Sequence, residues 1–389
     1  MLWLVLFCLS AIAAAKLAGE SHRLVYRSTA IDAIDVRHRF PEVRDWFAGL
    51  PVYPRHEHAA YPPASYIIFR PLFDVSSLTA TRWRWFTISM VALGWLVWLI
   101  VRESRATGLA ERSFAAVIPL SLNAMGVALG NGQPVIFVLP LVISSLLIVR
   151  RRAATWVWDG LGAALFLIAL VKPHVSAPFL WLLIVFSGRL RPAIFTAIGY
   201  LGLTALAAAY QPHGLLQLLQ DWIFRASVST AGEGYANLPA WLNEAGFQSQ
   251  EFTASLLVLA ACGAWAFFYR DQDTWLLLGV TGLVARMGFY HLLPDDILIL
   301  FAMVALLRLS NGHSGAAPAY AATISHVTLL ATLGVMVLPA RIYHLWPDPW
   351  PLWFSTLHTV VFCWVLLFLL VVTHQNWRLG RKGALAQPG

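Results

Sequence analysis

An all-α protein that crosses a membrane about twelve times is the fold class this sequence predicts, and three observations predict it. The 389 residues are 59% hydrophobic and only 12% charged, about half the charged fraction of a soluble globular domain, and the mean hydropathy is +0.67. Apolar runs long enough to cross a hydrocarbon core of about 30 Å recur along the whole length. Arginines crowd one set of the short connections between those runs, as the cytoplasmic loops of a membrane protein require. No sequence repeat or linker divides the chain, so a single transmembrane domain over 1–389 is expected.

The spans are expected near 2–18, 84–101, 113–129, 134–149, 156–171, 175–187, 192–210, 252–269, 274–290, 296–308, 319–339 and 352–373. The first ends in Ala13-Ala14-Ala15, which resembles a signal-peptide cleavage site, yet it lacks the positively charged start of such peptides. An uncleaved helix is therefore expected, and either reading leaves the next loop on the same side. Trp83 and Trp85, Trp156 and Trp158, and Trp346, Trp350 and Trp353 bracket spans, as interfacial anchors do. Cys8, Cys262 and Cys363 lie inside apolar runs, so neither a disulfide framework nor a zinc site is expected.

Orientation follows from the short connections. Arg102, Arg105, Arg112, Arg150, Arg151, Arg152, Arg189, Arg191, Arg270, Arg308, Arg378, Arg381 and Lys382 fall on one side; only Lys172, Arg286 and Arg341 fall on the other. The first set, with the C-terminus, is assigned to the cytoplasm. The long segments 19–83 and 211–251 then lie outside. The net charge of +8 reads as topology and contact with anionic membrane lipids, not as a nucleic-acid footprint.

The external segments carry the polar clusters. In 19–83, Val36, Phe40, Val43 and Phe47 recur at spacings of three or four among Arg37, Arg39, Glu42, Arg44 and Asp45, the pattern of an amphipathic helix lying along the surface. Asp35 stands at its start, where an N-cap is the structural reading; Asp32 is three residues earlier. Around Pro71 and Phe73 a further half-buried element is expected. Gly130-Asn131-Gly132-Gln133-Pro134 has turn chemistry, although turn geometry does not call for Gln133. Lys172 ends an outward helix, either snorkelling to headgroups or aimed at a phosphate. Arg286, Tyr290, His291, Asp295 and Asp296 surround another outer helix end; ionisable groups there are functional candidates unless they pair with each other, as Arg286 can with Asp295 or Asp296. Asp271-Gln272-Asp273 has the spacing by which some glycosyltransferases hold a metal, but it falls in a short cytoplasmic turn and reads as a solvated turn.

These residues resemble a known family. Asp35 followed by Gly49-Leu50-Pro51-Val52-Tyr53, then Tyr61-Pro62-Pro63, Asn131-Gly132-Gln133, Val171-Lys172-Pro173, and Tyr290-His291 with Asp295 and Asp296 are similar to motifs of glycosyltransferase family 87, in the GT-C superfamily. Val36-Arg37-His38-Arg39 replaces the family's usual aromatic pattern after the aspartate. The resemblance implies a GT-C-like fold and a bacterial inner-membrane enzyme with its active site at the outer surface under the first external loop. It also implies transfer of mannose or another hexose or pentose, with inversion, from a polyprenyl-phosphate donor to a lipid-linked or glycan acceptor. Asp35 would be the catalytic base with Asp32 in reserve. Lys172, Arg286 and His291 would face the donor phosphate, and Asn131, Gln133, Tyr61, Tyr290, Asp295 and Asp296 would contact substrate. No metal or cofactor is expected. A membrane-delivered donor also suits a face that lacks nucleotide sugars. A polysaccharide polymerase or ligase and a lipid or solute transporter are the competing readings.

Overall fold

The structure, a computed structural model, describes residues 2–29, 31–74, 77–188, 190–230, 235–312, 319–339 and 350–385. Arg189, Arg341 and Trp346 lie outside the described residues. Among those described, every regular element is a helix, as apolar solvent demands of a chain that must pair its own backbone groups. The α-helices are α1 (Leu2–Val25), α2 (Ile34–Phe47), α3 (Val52–Arg55), α4 (Pro63–Phe73), α5 (Leu78–Glu103), α6 (Leu109–Ser121), α7 (Asn123–Asn131), α8 (Val135–Arg151), α9 (Trp156–Ala169) and α10 (Pro173–Ser176). They continue with α11 (Leu180–Ser187), α12 (Arg191–Ala208), α13 (Leu215–Thr230), α14 (Leu238–Glu244), α15 (Glu251–Phe268), α16 (Thr274–Gly288), α17 (Ile299–Ser310), α18 (Ala319–Val337) and α19 (Trp350–Leu385).

The protein is a polytopic helical membrane protein. Among the described residues six helices are long and apolar enough to cross a bilayer: Trp3–Val25, Leu78–Glu103, Arg191–Ala208, Glu251–Phe268, Tyr320–Val337 and Trp353–Leu379. The pair α6 and α7, bent by 50°, makes a seventh when taken as one span. Several of the twelve expected segments form shorter elements. Around 175–187, Pro173 and Pro178 divide the run into α10, a 3-10 turn over Ala177–Phe179, and α11, since proline removes a backbone donor and crowds the preceding turn. The first helix runs past its expected end. Lys16 does not stop it, because its ammonium donates to the carbonyls of Ser121 (2.7 Å) and Val337 (2.9 Å).

Packing divides the chain into two compact units. The first comprises Met1–Lys16, Val97–Met125 and Gly234–Gly389; the second comprises Leu17–Leu96 and Gly126–Glu233. In the first unit α16 and α17 form the core, buried along nearly their whole lengths. A Cβ on Gly279 would lie 3.1 Å from the Ala302 Cα, and one on Gly282 would lie 3.1 Å from the Leu298 carbonyl. Small residues thus let the two backbones approach closely. At the start of α16, Asp273 caps the Trp275 amide (2.9 Å) and pairs with Arg308 (2.5 Å). The Asp-Gln-Asp sequence therefore contains a helix start with a built-in ion pair. In the second unit α8 is the buried centre, α9 and α11 pack on it, and α12 packs on α9 and α4.

Two expectations change here. Trp85 is not an interfacial anchor: it is 2% exposed, whereas Trp83 is 43% exposed. Helical positions two residues apart differ by about 200°, so Trp83 and Trp85 point to opposite faces. The segment 211–251 also contains a helix, α13, that the sequence reading did not expect. Its Leu216, Ile223 and Phe224 are exposed, while Trp222 and Arg225 turn inward to the first loop.

Candidate active site

The second unit holds the segment 19–83 and builds a polar site around α2. The chain enters through a turn locked by Asp32, whose carboxylate accepts from the Thr29 amide (3.0 Å) and hydroxyl (2.5 Å). Arg23 (3.3 Å) and Arg27 (3.8 Å) pair with the same carboxylate. The Thr29 hydroxyl, then the Thr29 amide and the two arginines, hold Asp32 below the usual carboxylate range against the opposing effect of burial. Ala33 follows in the left-handed region at φ 50° and is the N-cap of α2, with no side-chain cap. Asp35 is thus the second helical residue, not the cap. It is half-buried and sits where the helix dipole favours a carboxylate.

The buried face of α2 is Val36, Arg39, Glu42, Val43 and Trp46, which corrects the expected stripe of Val36, Phe40, Val43 and Phe47. Two charged residues lie inside because they pair. Arg39 Nη1 is 2.8 Å from Glu42 Oε2, the Tyr66 hydroxyl donates to the same oxygen at 3.3 Å, and Arg39 Nη2 donates to the His58 carbonyl at 2.5 Å. The guanidinium also stands 4.8 Å from the centroid of Tyr61. Arg39 follows Asp35 by four residues, so both belong to one helical face. Burial pushes the Glu42 carboxyl up, opposed chiefly by Arg39. His38 stacks on His58 at 4.2 Å; burial first, then the neighbouring His58, Arg39 and Arg37, lower it to about 4.

Aromatic contacts fix this loop to the rest of its unit. Trp46 stacks on Tyr66 at 4.0 Å and donates to the Ala207 carbonyl of α12 at 3.1 Å. Tyr53 donates to the Tyr61 carbonyl (2.9 Å), and from α13 Trp222 donates to the Ala60 carbonyl (3.0 Å) and Arg225 to the Tyr53 carbonyl (2.9 Å). In Tyr61-Pro62-Pro63, Pro63 opens α4, a position where a missing amide is harmless.

The 130–134 turn meets the start of α2 directly. The Ala33 amide donates to the Gly130 carbonyl at 3.2 Å. Gly132 has φ +75°, and a Cβ there would lie 2.3 Å from Val36 Cγ2, so both backbone angle and space require glycine. Gln133 Oε1 then accepts from Lys172 Nζ at 3.0 Å. Lys172 is 5% exposed, so it does not snorkel. The Ser65 hydroxyl on α4 donates to the Val171 carbonyl at 2.8 Å. Asp35, the Gly130–Gln133 turn, Lys172 and the Tyr61-Pro62-Pro63 segment are therefore joined within one unit. Arg39, Glu42, Ser65 and Tyr66 were missed; the Asp35, Arg39, Glu42 spacing of four and three was the signal that one helical face carries all three.

The remaining candidates lie in the first unit, where they pair with one another. Arg286 is fully buried; its Nε is 2.5 Å from Asp296 Oδ1, and Nη1 and Nη2 each donate to the Tyr235 carbonyl at 3.2 Å. The Tyr235 hydroxyl donates to Asp296 Oδ2, and His358 Nε2 lies 3.7 Å from it. His291 is also fully buried, with Nδ1 3.1 Å from Asp295 Oδ2 and Nε2 3.0 Å from the Ala285 carbonyl. A carbonyl only accepts, so Nε2 carries a proton. Tyr290 is half-buried beside this cluster's loop.

A helical membrane protein with a polar site gathered around α2 is the class that fold and site define. The family model of glycosyltransferase family 87 matches residues 59–293, more than half of the chain, and the chain belongs to that family. It is a membrane glycosyltransferase, which takes a sugar donor and an acceptor. The matched segment contains Tyr61, Asn131, Gln133, Lys172, Arg286, Tyr290 and His291; Asp32 and Asp35 precede it, and Asp295 and Asp296 follow it. Comparison with curated proteins and with solved structures found no match.

Proposed function

We propose that this glycosyltransferase moves a hexose or pentose, such as mannose, from a polyprenyl-phosphate donor to an acceptor hydroxyl on the extracytoplasmic face, with inversion. The observation that carries this reading is the direct seating of the Gly130–Gln133 turn on the start of α2, with Gln133 holding Lys172 at 3.0 Å. A carboxylate and a cation then share one unit. In the reaction Asp35 takes the acceptor O–H proton as that oxygen attacks the anomeric carbon. The bond from the anomeric carbon to the phosphate oxygen breaks, and its electron pair leaves with the polyprenyl phosphate. Lys172 stabilises that growing charge, a role for which fixed, desolvated cations are suited. Tyr61 and Asn131 bound the substrate space. Arg286 and His291, also proposed toward the phosphate, are already engaged with Asp296 and Asp295; in this reading their part is to hold the chain around Tyr290.

The test is turnover by purified protein in detergent with synthetic short-chain polyprenyl-phosphate sugars. Acceptor-dependent release of polyprenyl phosphate is expected from the wild type. Its absence with every hexose and pentose donor tried, alongside intact folding, overturns the reading.

A further inference from the structure

Between the last turns of the spanning helix α5 and the start of α6 lies a cleft of about 240 Å³, lined by Trp98, Val101, Arg102, Ala106 and Arg112. All five belong to the first unit. Trp98 and Arg102 are four residues apart on one face of α5, and the Arg102 guanidinium stands 5.2 Å from the Trp98 ring centroid. The connection to α6 passes through Arg105, at φ 56°. Beyond it the Arg112 Nε donates back to the Ala106 carbonyl at 3.2 Å, which ties one edge of that guanidinium to the cleft wall. Among the described residues nothing accepts from the Nη groups of either arginine. The neighbouring carboxylates are committed elsewhere. Glu103, 3.8 Å from Arg102 Nε, is 3% exposed and accepts from the Trp275 indole at 3.1 Å. Glu111 accepts from the Thr107 amide (3.0 Å) and hydroxyl (3.3 Å). The cleft therefore carries two cations and no lining carboxylate.

Two guanidinium groups facing one cleft select an anion with several oxygens, and their planar forks match phosphate. The rest of the lining selects the source of that phosphate. Trp98 is 53% exposed and stands one turn before the charged end of a span, the depth at which tryptophan joins hydrocarbon to headgroups. Leu109, at the start of α6, is 75% exposed. A soluble anion would find much of this lining apolar and of no use to it. A lipid uses both parts, with its phosphate on the arginines and its acyl chains beside Trp98. Basic clefts at the ends of spans are where anionic headgroups lodge. We propose that this cleft is a binding site for the phosphate headgroup of an anionic phospholipid. The site is independent of the sugar donor and acceptor proposed above.

The test titrates the full chain in detergent with dioleoylphosphatidylglycerol, dioleoylphosphatidylcholine or inorganic phosphate. Native mass spectrometry counts the lipid retained, and the melting temperature reads the stabilisation that a bound ligand confers. The wild type should retain the glycerol lipid in preference to the choline lipid. Arg102→Gln and Arg112→Gln change exposed side chains, so the lipid-free melting temperature should stay as it is. Each should weaken retention of the glycerol lipid about fivefold, the contribution of one arginine at an anionic surface. Arg270→Gln, outside the cleft, should retain it as the wild type does. An equal loss in Arg270→Gln overturns the site in favour of diffuse attraction to the whole basic surface. Stabilisation by inorganic phosphate as large as that by the glycerol lipid overturns the lipid as occupant and leaves a soluble anion. Equal retention of both lipids by the wild type overturns the anionic headgroup altogether.

Discussion

Asp35 and Lys172 carry the proposed chemistry, and each has a variant that separates chemistry from architecture. Because Ala33, not Asp35, caps α2, Asp35→Asn removes a base without removing a cap. Activity is expected to fall by at least about 10²-fold, with the melting temperature and donor affinity kept; a variant that turns over normally would end the assignment. Asp32→Asn probes the reserve. Its carboxylate is held by Thr29, Arg23 and Arg27, so the expected effect is on stability of the turn. At position 172, Lys172→Ala should lose about 10²-fold or more in turnover. Lys172→Arg should rescue poorly, because a planar fork does not replace a point charge. Single-turnover rates at saturating donor read both. Neither residue's surroundings were legible locally, since Lys172 meets Gln133 across a separation of 39 residues.

At the scale of the element, α2 shows how pairing overrides hydropathy. The apolar residues Phe40 and Phe47 are half-exposed while Arg39 and Glu42 are buried, because the charges meet each other and Tyr66. Removing one partner leaves an uncompensated buried charge, so Arg39→Met should destabilise by about 3–5 kcal/mol. The double variant Arg39→Met, Glu42→Gln should recover much of that. Denaturant or thermal melts in the same detergent decide it, and additive losses would contradict the buried pair. His38 gives the same helix a pH signature. Its pKa is lowered from the usual 6.5 to about 4, so between these values the unfolded chain binds more protons. Stability should therefore fall as pH drops through that window, and His38→Gln should flatten the slope. The Gly130–Gln133 turn makes a third case. Gly132→Ala meets both positive φ and a contact at 2.3 Å, so a loss of at least about 1 kcal/mol is expected, and donor binding should weaken with it.

For the whole molecule, the asymmetry of arginines makes one overriding prediction. With Ser28→Cys and Gly383→Cys introduced separately into a chain lacking Cys8, Cys262 and Cys363, an impermeant thiol reagent should label the first from outside and the second only after permeabilisation. Labelling of both from one side would put the proposed site on the wrong face. The sequence by itself determined what depends on neighbours along the chain. Long apolar runs must become helices, because a backbone in hydrocarbon has only its own groups to bond. Most expected segments accordingly reappear as helices within a few residues, such as 252–269 as Glu251–Phe268, although six or seven of them are long and apolar enough to span. Motif spacing was likewise enough to place the chain in its glycosyltransferase family. Tertiary structure alone decided which polar residues are engaged and which are not. Arg286 closes on Asp296 and Tyr235, Arg39 goes inside with Glu42, and Trp85 turns inward with its N–H unmet. The reason is physical: the cost of burying a polar group is set by the atoms brought within about 3 Å of it, and those atoms come from residues that the linear order keeps far apart.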